Sequence, residues 1–198
     1  MERQIREIEA GFATRDADGQ KRIEGYFAVF GPVYELWPGA TESIDSHAFD
    51  DALGDDIRCL INHDTRLVLG RNVAHTLELR TDAHGLWGSV IINEADQDAM
   101  NAYARAIRGD VSQASFGFDI LDQGEEIRAD GSVHWTIRKV KLYEVSLVTF
   151  PAYKETSLQA RRQDWEAIQQ RRKDYEAEQL RKWQAERLER IRNITKRS

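Results

Sequence analysis

The sequence predicts a mainly β fold with flanking helices, of the α+β class, followed by a long charged helix. Over the first 158 residues, short runs rich in aromatic and β-branched residues alternate with turns made of glycine, proline and aspartate. Over residues 159–198, glycine and proline are absent, and the helix formers Gln, Glu, Arg and Ala dominate. We therefore expect residues 1–158 to form a barrel-like or strongly bent sheet and residues 159–198 to form a helical tail.

The individual strands and turns follow from local patterns. Runs with strand character occupy residues 21–31, 56–62, 73–93, 111–122 and 132–151. The run at 73–93 has a central turn and predicts a hairpin, and Gly25 suggests a bulge. Residues 31–45 hold two prolines and two glycines and predict a long loop. Further turns are expected around Gly124 and at residues 130–131.

Two helices are predicted before the tail. Residues 47–53 suggest a short helix that is capped by Asp45 or Ser46 and ends at Gly54. Residues 94–109 predict an amphipathic helix, and Gly109 stands at its C-terminal end. Its apolar face would consist of Ala99, Met100, Tyr103, Ala106 and Ile107.

Composition excludes several functional classes. No apolar run approaches the ~20 residues that a membrane-spanning helix needs, and the charged N-terminus lacks a signal core, so we expect cytosolic synthesis. The single cysteine, Cys59, excludes an internal disulfide and a cysteine-based zinc site, and a small buried hydrophobe is its expected role. The five histidines form no metal-binding pattern, and neither GxGxxG nor a P-loop is present. The sequence therefore predicts no metal and no cofactor.

Three segments carry residues that are suited to catalysis. His63 follows a predicted strand in the sequence INHD, Ser115 lies in QASFGF, and Glu144 is a carboxylate inside the otherwise apolar strand YEVSLVTFPA. Each residue alone is more often structural than catalytic. Together they supply a hydroxyl nucleophile, an imidazole to take its proton, and a carboxylate to orient the imidazole. Backbone N–H groups within residues 149–153 are candidates for the oxyanion hole.

The ordered set of motifs resembles the caudovirus prohead serine proteases, which look like distant relatives of the herpesvirus assemblin protease. The matching pieces span roughly residues 20–155, and they are RIEGYFAVFG (22–31), SIDSHAFDDAL (43–53), CLINHD (59–64), GLWGSVIIN (85–93), AMNAYARAIRGDVSQASFGF (99–118) and YEVSLVTFPAY (143–153). The family's histidine falls on His63 and its serine on Ser115. Herpesvirus relatives use a second histidine as the third member, whereas this sequence offers Glu144 within the motif and His134 outside it.

The resemblance implies a compact β-barrel and a role in virion assembly. Family members are located in the host cytoplasm, inside the assembling prohead. There they digest scaffold or capsid-protein extensions and also process themselves. The expected partners are therefore the major capsid protein and the scaffold protein. Assemblin-type enzymes also pair through a helix, which suggests a homodimer. The competing hypothesis is a non-catalytic assembly protein that binds capsid subunits.

The tail differs in charge from the rest of the chain. The net charge of −6 divides into +5 for residues 159–198, with 12 basic and 7 acidic residues, and −11 for residues 1–158, with 16 basic and 27 acidic residues. The tail fits a solvated helix packed on the barrel or on a sister subunit, or an element that docks the protein inside the prohead. Nucleic-acid binding is disfavoured because acids are interleaved with the bases.

Overall fold

The computed structural model describes residues 4–9, 12–17, 19–150 and 155–195. Within these residues the chain is mainly β with two α-helices, which confirms the predicted class and the C-terminal helix. Two compact units are present, Met1–Lys154 and Glu155–Ser198. The first unit contains all the strands, and they are β1 (Gln4–Glu9), β2 (Ala13–Ala17), β3 (Gln20–Val29), β4 (Tyr34–Trp37), β5 (Ala40–Ile44), β6 (Arg58–Ile61), β7 (Asp64–Arg71), β8 (Leu77–Thr81), β9 (Gly85–Ile91), β10 (Gln113–Ile127) and β11 (Val133–Val148).

The strands form two sheets. The first has the order β1-β10-β11-β5-β4. Strand β6 also pairs with β11, near its C-terminal end, and β7 pairs with β6. The second has the order β2-β3-β9-β8. The predicted barrel is wrong, because in the described part of the chain neither sheet closes on itself. Two facing sheets can bury their apolar faces against each other without closure. The shared core accordingly joins Phe27 and Leu86 of one sheet to Phe116 and Val145 of the other.

Strand β11 organises the first sheet because it has three partners. It pairs antiparallel with β10 along most of its length. On its other side, Val133–Ile137 pairs parallel with β5, and residues 144–147 pair parallel with β6. On the edge of β11 that faces away from β10, its N-terminal part therefore pairs with β5 and its C-terminal part with β6.

The predicted loop at residues 31–45 is wrong. It contains the hairpin of β4 and β5, in which Trp37 pairs with Ala40. The two residues between them are Pro38 and Gly39, and Gly39 has φ 87°. Proline followed by a positive-φ glycine is the composition of a type II turn, so these residues connect two short strands.

Two other local predictions are wrong, and one strand is absent from the predictions. Residues 47–53 form turns and a 3-10 helix at Ala52–Gly54 rather than an α-helix. Gly124 does not mark a turn, because β10 continues through it and pairs it with Thr136 of β11. Chain reversal occurs instead at residues 130–131, as predicted, where Gly131 has φ 85°. Strand β7 begins at Asp64, the last residue of the INHD motif, and the sequence patterns do not predict it.

The predicted amphipathic helix is confirmed as α1 (Gln97–Arg108). The Asp96 side chain accepts hydrogen bonds from the first turn, and Gly109 ends the helix in the left-handed conformation with φ 80°. Ala102 belongs to the buried face, whereas Ile107 is exposed. The second unit contains α2 (Glu155–Thr195). None of the helices in the described ranges is long and apolar enough to cross a membrane.

Candidate active site

His63 lies in a two-residue turn between β6 and β7. Ile61 pairs with Asp64, so Asn62 and His63 form the whole connection. Both have positive φ, 51° and 60° respectively. This is the conformation of a type I′ hairpin turn, which favours asparagine but costs a residue such as histidine ~1–2 kcal/mol. The sequence prediction that His63 follows the end of a strand is therefore confirmed, and its backbone is strained.

Contacts with the end of β11 hold this turn in place. The Asn62 side chain accepts a hydrogen bond from the backbone N–H of Thr149 at 2.9 Å. The Asn62 backbone N–H donates to the carbonyl of Leu147 at 2.8 Å, and the His63 backbone N–H donates to Ser146 Oγ at 3.3 Å. The turn is thus bonded to three positions on the neighbouring strand, which offsets the strain and fixes the direction of the imidazole.

The imidazole of His63 contacts the carboxylate of Glu144. The Nδ1 atom of His63 lies 2.7 Å from Oε1 of Glu144, and the two side chains are 10% and 4% exposed. The other carboxylate oxygen, Oε2, accepts a hydrogen bond from Ser146 Oγ at 2.6 Å. A proton on Nδ1 that is held by a carboxylate makes Nε2 the basic nitrogen of the neutral ring. This is the tautomer that a general base needs.

Ser115 lies on the neighbouring strand, beside this pair. In the antiparallel register of β10 and β11, Ser115 is opposite Ser146, and Gly117 is opposite Glu144. Opposed residues share a face of the sheet, with Cβ atoms ~4.5–5.5 Å apart. Residues 144 and 146 also share that face, because strand side chains alternate. The structure therefore gathers Ser115, Glu144 and His63 around Ser146.

The Ser115 hydroxyl is fully buried and donates to the backbone carbonyl of Arg6 in β1, at 3.0 Å. Strand β1 flanks β10 on the side opposite β11, and Glu7 is the register partner of Ser115. Arg6 itself forms a buried ion pair with Glu42 of β5. This pair anchors the segment that supplies the carbonyl.

His134, the other candidate for a third member, lies elsewhere. Its two ring nitrogens contact the hydroxyls of Thr41 and Ser43, at 2.8 and 2.9 Å. It precedes Glu144 by ten positions on the same strand, which corresponds to about 33 Å of extended chain. The geometry therefore favours Glu144 over His134 as the partner of His63.

The predicted oxyanion segment is only partly described. The backbone N–H of Thr149 already donates to Asn62. Phe150 is 79% exposed, and residues 151–154 lie outside the described residues. Most of this prediction therefore stays a prediction.

Cys59 is buried next to the site and matches its predicted role as a small hydrophobe. Burial and, to a lesser degree, the charge of Glu144 raise the pKa of the Cys59 thiol far above its usual value. The reactive thiolate is therefore suppressed. Among the described residues, no group of three or more His, Cys, Asp and Glu side chains converges on a metal position.

A cavity of about 250 Å³ adjoins the turn that carries His63. Asn62 and Thr149 line it on the side of the turn, and Leu147 of β11 and Ala102 and Arg105 of α1 complete much of its wall. Its lining is mainly apolar, with charged groups present.

Sequence reasoning missed Ser146 and the buried pair of Arg6 and Glu42. A signal for Ser146 existed, because a residue two positions after Glu144 in a strand shares its face. No signal existed for the ion pair, since its partners lie 36 residues apart on strands that are not neighbours.

With the geometry in place, comparison with known proteins identifies the family. Residues 9–171 match the family of the caudovirus prohead serine protease. The chain belongs to this family. It is therefore a serine peptidase, and the resemblance inferred from the sequence motifs is confirmed.

Among solved structures, the protease is similar to the capsid assembly protease gp21 of bacteriophage T4. The two are 13% identical, the match covers 76% of this chain and 100% of the other, and the TM-score is 0.47. No curated protein matches the sequence.

Proposed function

We propose that this serine peptidase is an endopeptidase of prohead maturation, with Ser115 as nucleophile, His63 as general base and Glu144 as the orienting acid. The observation that carries the proposal is the 2.7 Å contact between Nδ1 of His63 and the Glu144 carboxylate, on the strand next to Ser115. This contact assigns complementary roles to the two ring nitrogens. One holds the orienting proton, and the other accepts the proton of the nucleophile.

The reaction follows from these roles. His63 Nε2 takes the proton of Ser115 as Oγ attacks the scissile carbonyl carbon, and the carbonyl oxygen becomes an oxyanion. Glu144 stabilises the imidazolium that forms. The imidazolium then gives its proton to the departing amine, which leaves an ester on Ser115. Water hydrolyses that ester with His63 again as base, and this step regenerates the free serine and releases the new carboxyl terminus.

The Ser115 hydroxyl must first be freed for this chemistry. Its Oγ lies 3.0 Å from the carbonyl oxygen of Arg6, to which it donates its single hydrogen, and the residue is 0% exposed. Rotation about the Cβ–Oγ bond redirects that hydrogen without moving the backbone. Entry of a peptide also requires a movement of the residues that bury Ser115. The described geometry is thus a closed form, and we propose that substrate binding opens it.

We propose scaffold or capsid-protein extensions as substrates, cleaved inside the assembling prohead in the host cytoplasm. Membership of the prohead protease family supports this. The cavity beside the turn supports a peptide substrate, because Asn62, the other residue of the turn that carries His63, lies on its wall. We place one apolar side chain of the peptide there.

Pairing of two copies through helices also remains a proposal. It is supported by the large apolar residues that α2 exposes, Tyr175, Leu180 and Trp183. These side chains would find apolar partners in a helix from a second copy.

Co-expression tests the proposal. The protease is produced with the phage major capsid and scaffold proteins, and substrate lengths are measured by intact mass. Ser115→Ala should abolish every cleavage. The matched control is Ser43→Ala, which removes a hydroxyl that lies 2.9 Å from a ring nitrogen of His134, and it should cleave normally. Processing that persists in Ser115→Ala would remove this serine from the mechanism.

A further inference from the structure

We propose that Ser146 is a positioning residue that joins the acid to the backbone of the base, an inference that rests on the proposed roles of His63 and Glu144. Ser146 is fully buried on β11, directly opposite Ser115. It acts through its neighbours and does not itself react.

The hydrogen bonds of Ser146 are mutually compatible. Its single O–H donates to Oε2 of Glu144 at 2.6 Å, and its oxygen accepts the backbone N–H of His63 at 3.3 Å. A hydroxyl has one donor and two acceptor sites, so it makes both bonds at once. One side chain therefore connects the carboxylate and the strained turn that carries the imidazole.

The Glu144 carboxylate needs this second donor. It is nearly buried, with 3% of the residue exposed. Oε1 contacts His63 and Oε2 contacts Ser146, so each oxygen has a specific partner. If the Ser146 hydroxyl is removed, Oε2 loses its donor, and the carboxylate gains freedom to rotate away from Nδ1. The imidazole is then held less firmly in the tautomer that serves as base.

Ser146 is not suited to be a second nucleophile. Its hydrogen is directed at a carboxylate oxygen, and the contact with His63 is made by the backbone N–H rather than by the ring. Ser115 and Ser146 thus have different functions although they lie side by side. Replacing the first removes the reacting oxygen, and replacing the second loosens the groups that activate it.

Steady-state kinetics on a peptide substrate test the inference. Ser146→Ala should lower kcat about 10- to 100-fold, the range expected for loss of a hydrogen bond to a charged group, with KM little changed. The matched control is Ser89→Ala. Ser89 is also buried in a strand, and it donates to the carboxylate of Glu24 at 3.1 Å, but in the other sheet. This control should leave kcat unchanged.

Proton NMR of the imidazole separates positioning from general destabilisation. The wild type should show a downfield Nδ1–H signal that His63→Gln removes. In Ser146→Ala the signal should broaden through exchange, whereas in Ser89→Ala it should stay sharp. Should Ser146→Ala fail to fold, Ser146→Cys keeps most of the volume with a much weaker donor, and it should show the same losses to a smaller degree.

The outcomes distinguish the inference from the proposed function. A folded Ser146 variant with kcat within about twofold of wild type and a sharp Nδ1–H signal overturns the positioning role, provided that Ser115→Ala is inactive. If Ser115→Ala retains activity, the proposed triad itself is wrong.

Discussion

The two ends of β11 each contribute to a cluster of imidazole and hydroxyl groups, but among the described residues a carboxylate hydrogen-bonds to the imidazole in only one of them. At the start of the strand, both ring nitrogens of His134 contact hydroxyls, those of Thr41 and Ser43. At its end, Glu144 contacts Nδ1 of His63. A hydroxyl can donate or accept, so hydroxyl partners satisfy either neutral tautomer. A carboxylate only accepts, so it selects the Nδ1–H tautomer and stabilises the imidazolium.

The backbone conformation of the histidine also differs between the two clusters. His134 lies within a regular strand, whereas His63 occupies a left-handed turn. Strained backbone is retained where the surrounding contacts impose it, and such sites are enriched in function. The comparison shows that a serine near a histidine is weak support for catalysis unless a carboxylate also holds the imidazole in one tautomer.

The largest expected effect contrasts the two histidines. His63→Gln should lower kcat/KM by ~10²–10⁴-fold because it removes the proposed general base. His134→Gln should leave kcat/KM within about twofold, since its ring contacts two hydroxyls away from the triad. Both variants are measured on one peptide at one pH. Comparable losses would contradict the proposal that His63 is catalytic and His134 is not.

The next effect concerns the carboxylate. Glu144→Gln keeps the shape of the side chain but loses its charge, so it should reduce kcat. The reduction should be no larger than that of His63→Gln, because Glu144 is proposed to act through His63. The double variant His63→Gln, Glu144→Gln should be no slower than His63→Gln alone, because residues that act as a unit are not additive. Single-turnover rates check this. Additive losses would show that Glu144 works separately from His63.

A smaller effect is expected at the turn. Asn62→Ala should destabilise the fold by ~1–2 kcal/mol, because alanine tolerates positive φ poorly and cannot bond to Thr149. Asn62→Gly relieves the backbone cost and should be less destabilising, so the difference isolates the strain. Urea denaturation measures both. Equal losses would mean that the left-handed conformation carries no cost.

The sequence predicted the residues that meet at the candidate site more reliably than the strands around them. Ser115, His63 and Glu144 could be chosen because their side-chain chemistry is visible without coordinates. Strand β7 was missed because its turn, Asn62-His63, lacks the glycine that usually marks a two-residue hairpin. The hairpin of β4 and β5 was missed because β5 becomes a strand by pairing with the distant β11. The barrel was wrong for a related reason, because closure depends on which strands meet at the edges, and local patterns do not specify this.

The smallest effect concerns the base of the hairpin that carries His63. Arg71 hydrogen-bonds to Asp56 and lowers the pKa of that carboxyl to about 2. A lowered pKa means that this contribution to stability is complete above the ordinary value of ~3.9 and is lost as the pH falls towards 2. Asp56→Asn should therefore lower the melting temperature slightly at pH 7, with the difference from wild type disappearing near pH 2. Activity at pH 7 should be unchanged, because the pair is exposed and lies at the opposite end of the hairpin from the turn. A difference in melting temperature that is as large at pH 2 as at pH 7 would contradict this assignment.

Reaction with a fluorophosphonate that is linked to a substrate peptide, so that it can open the closed form, followed by intact mass and peptide mapping, tests the central claim most directly. The account predicts a single adduct on Ser115 and its near absence in His63→Gln, because the hydroxyl reacts only when the imidazole takes its proton. An adduct on Ser146 or Ser43, or labelling of Ser115 that is indifferent to His63, would contradict it.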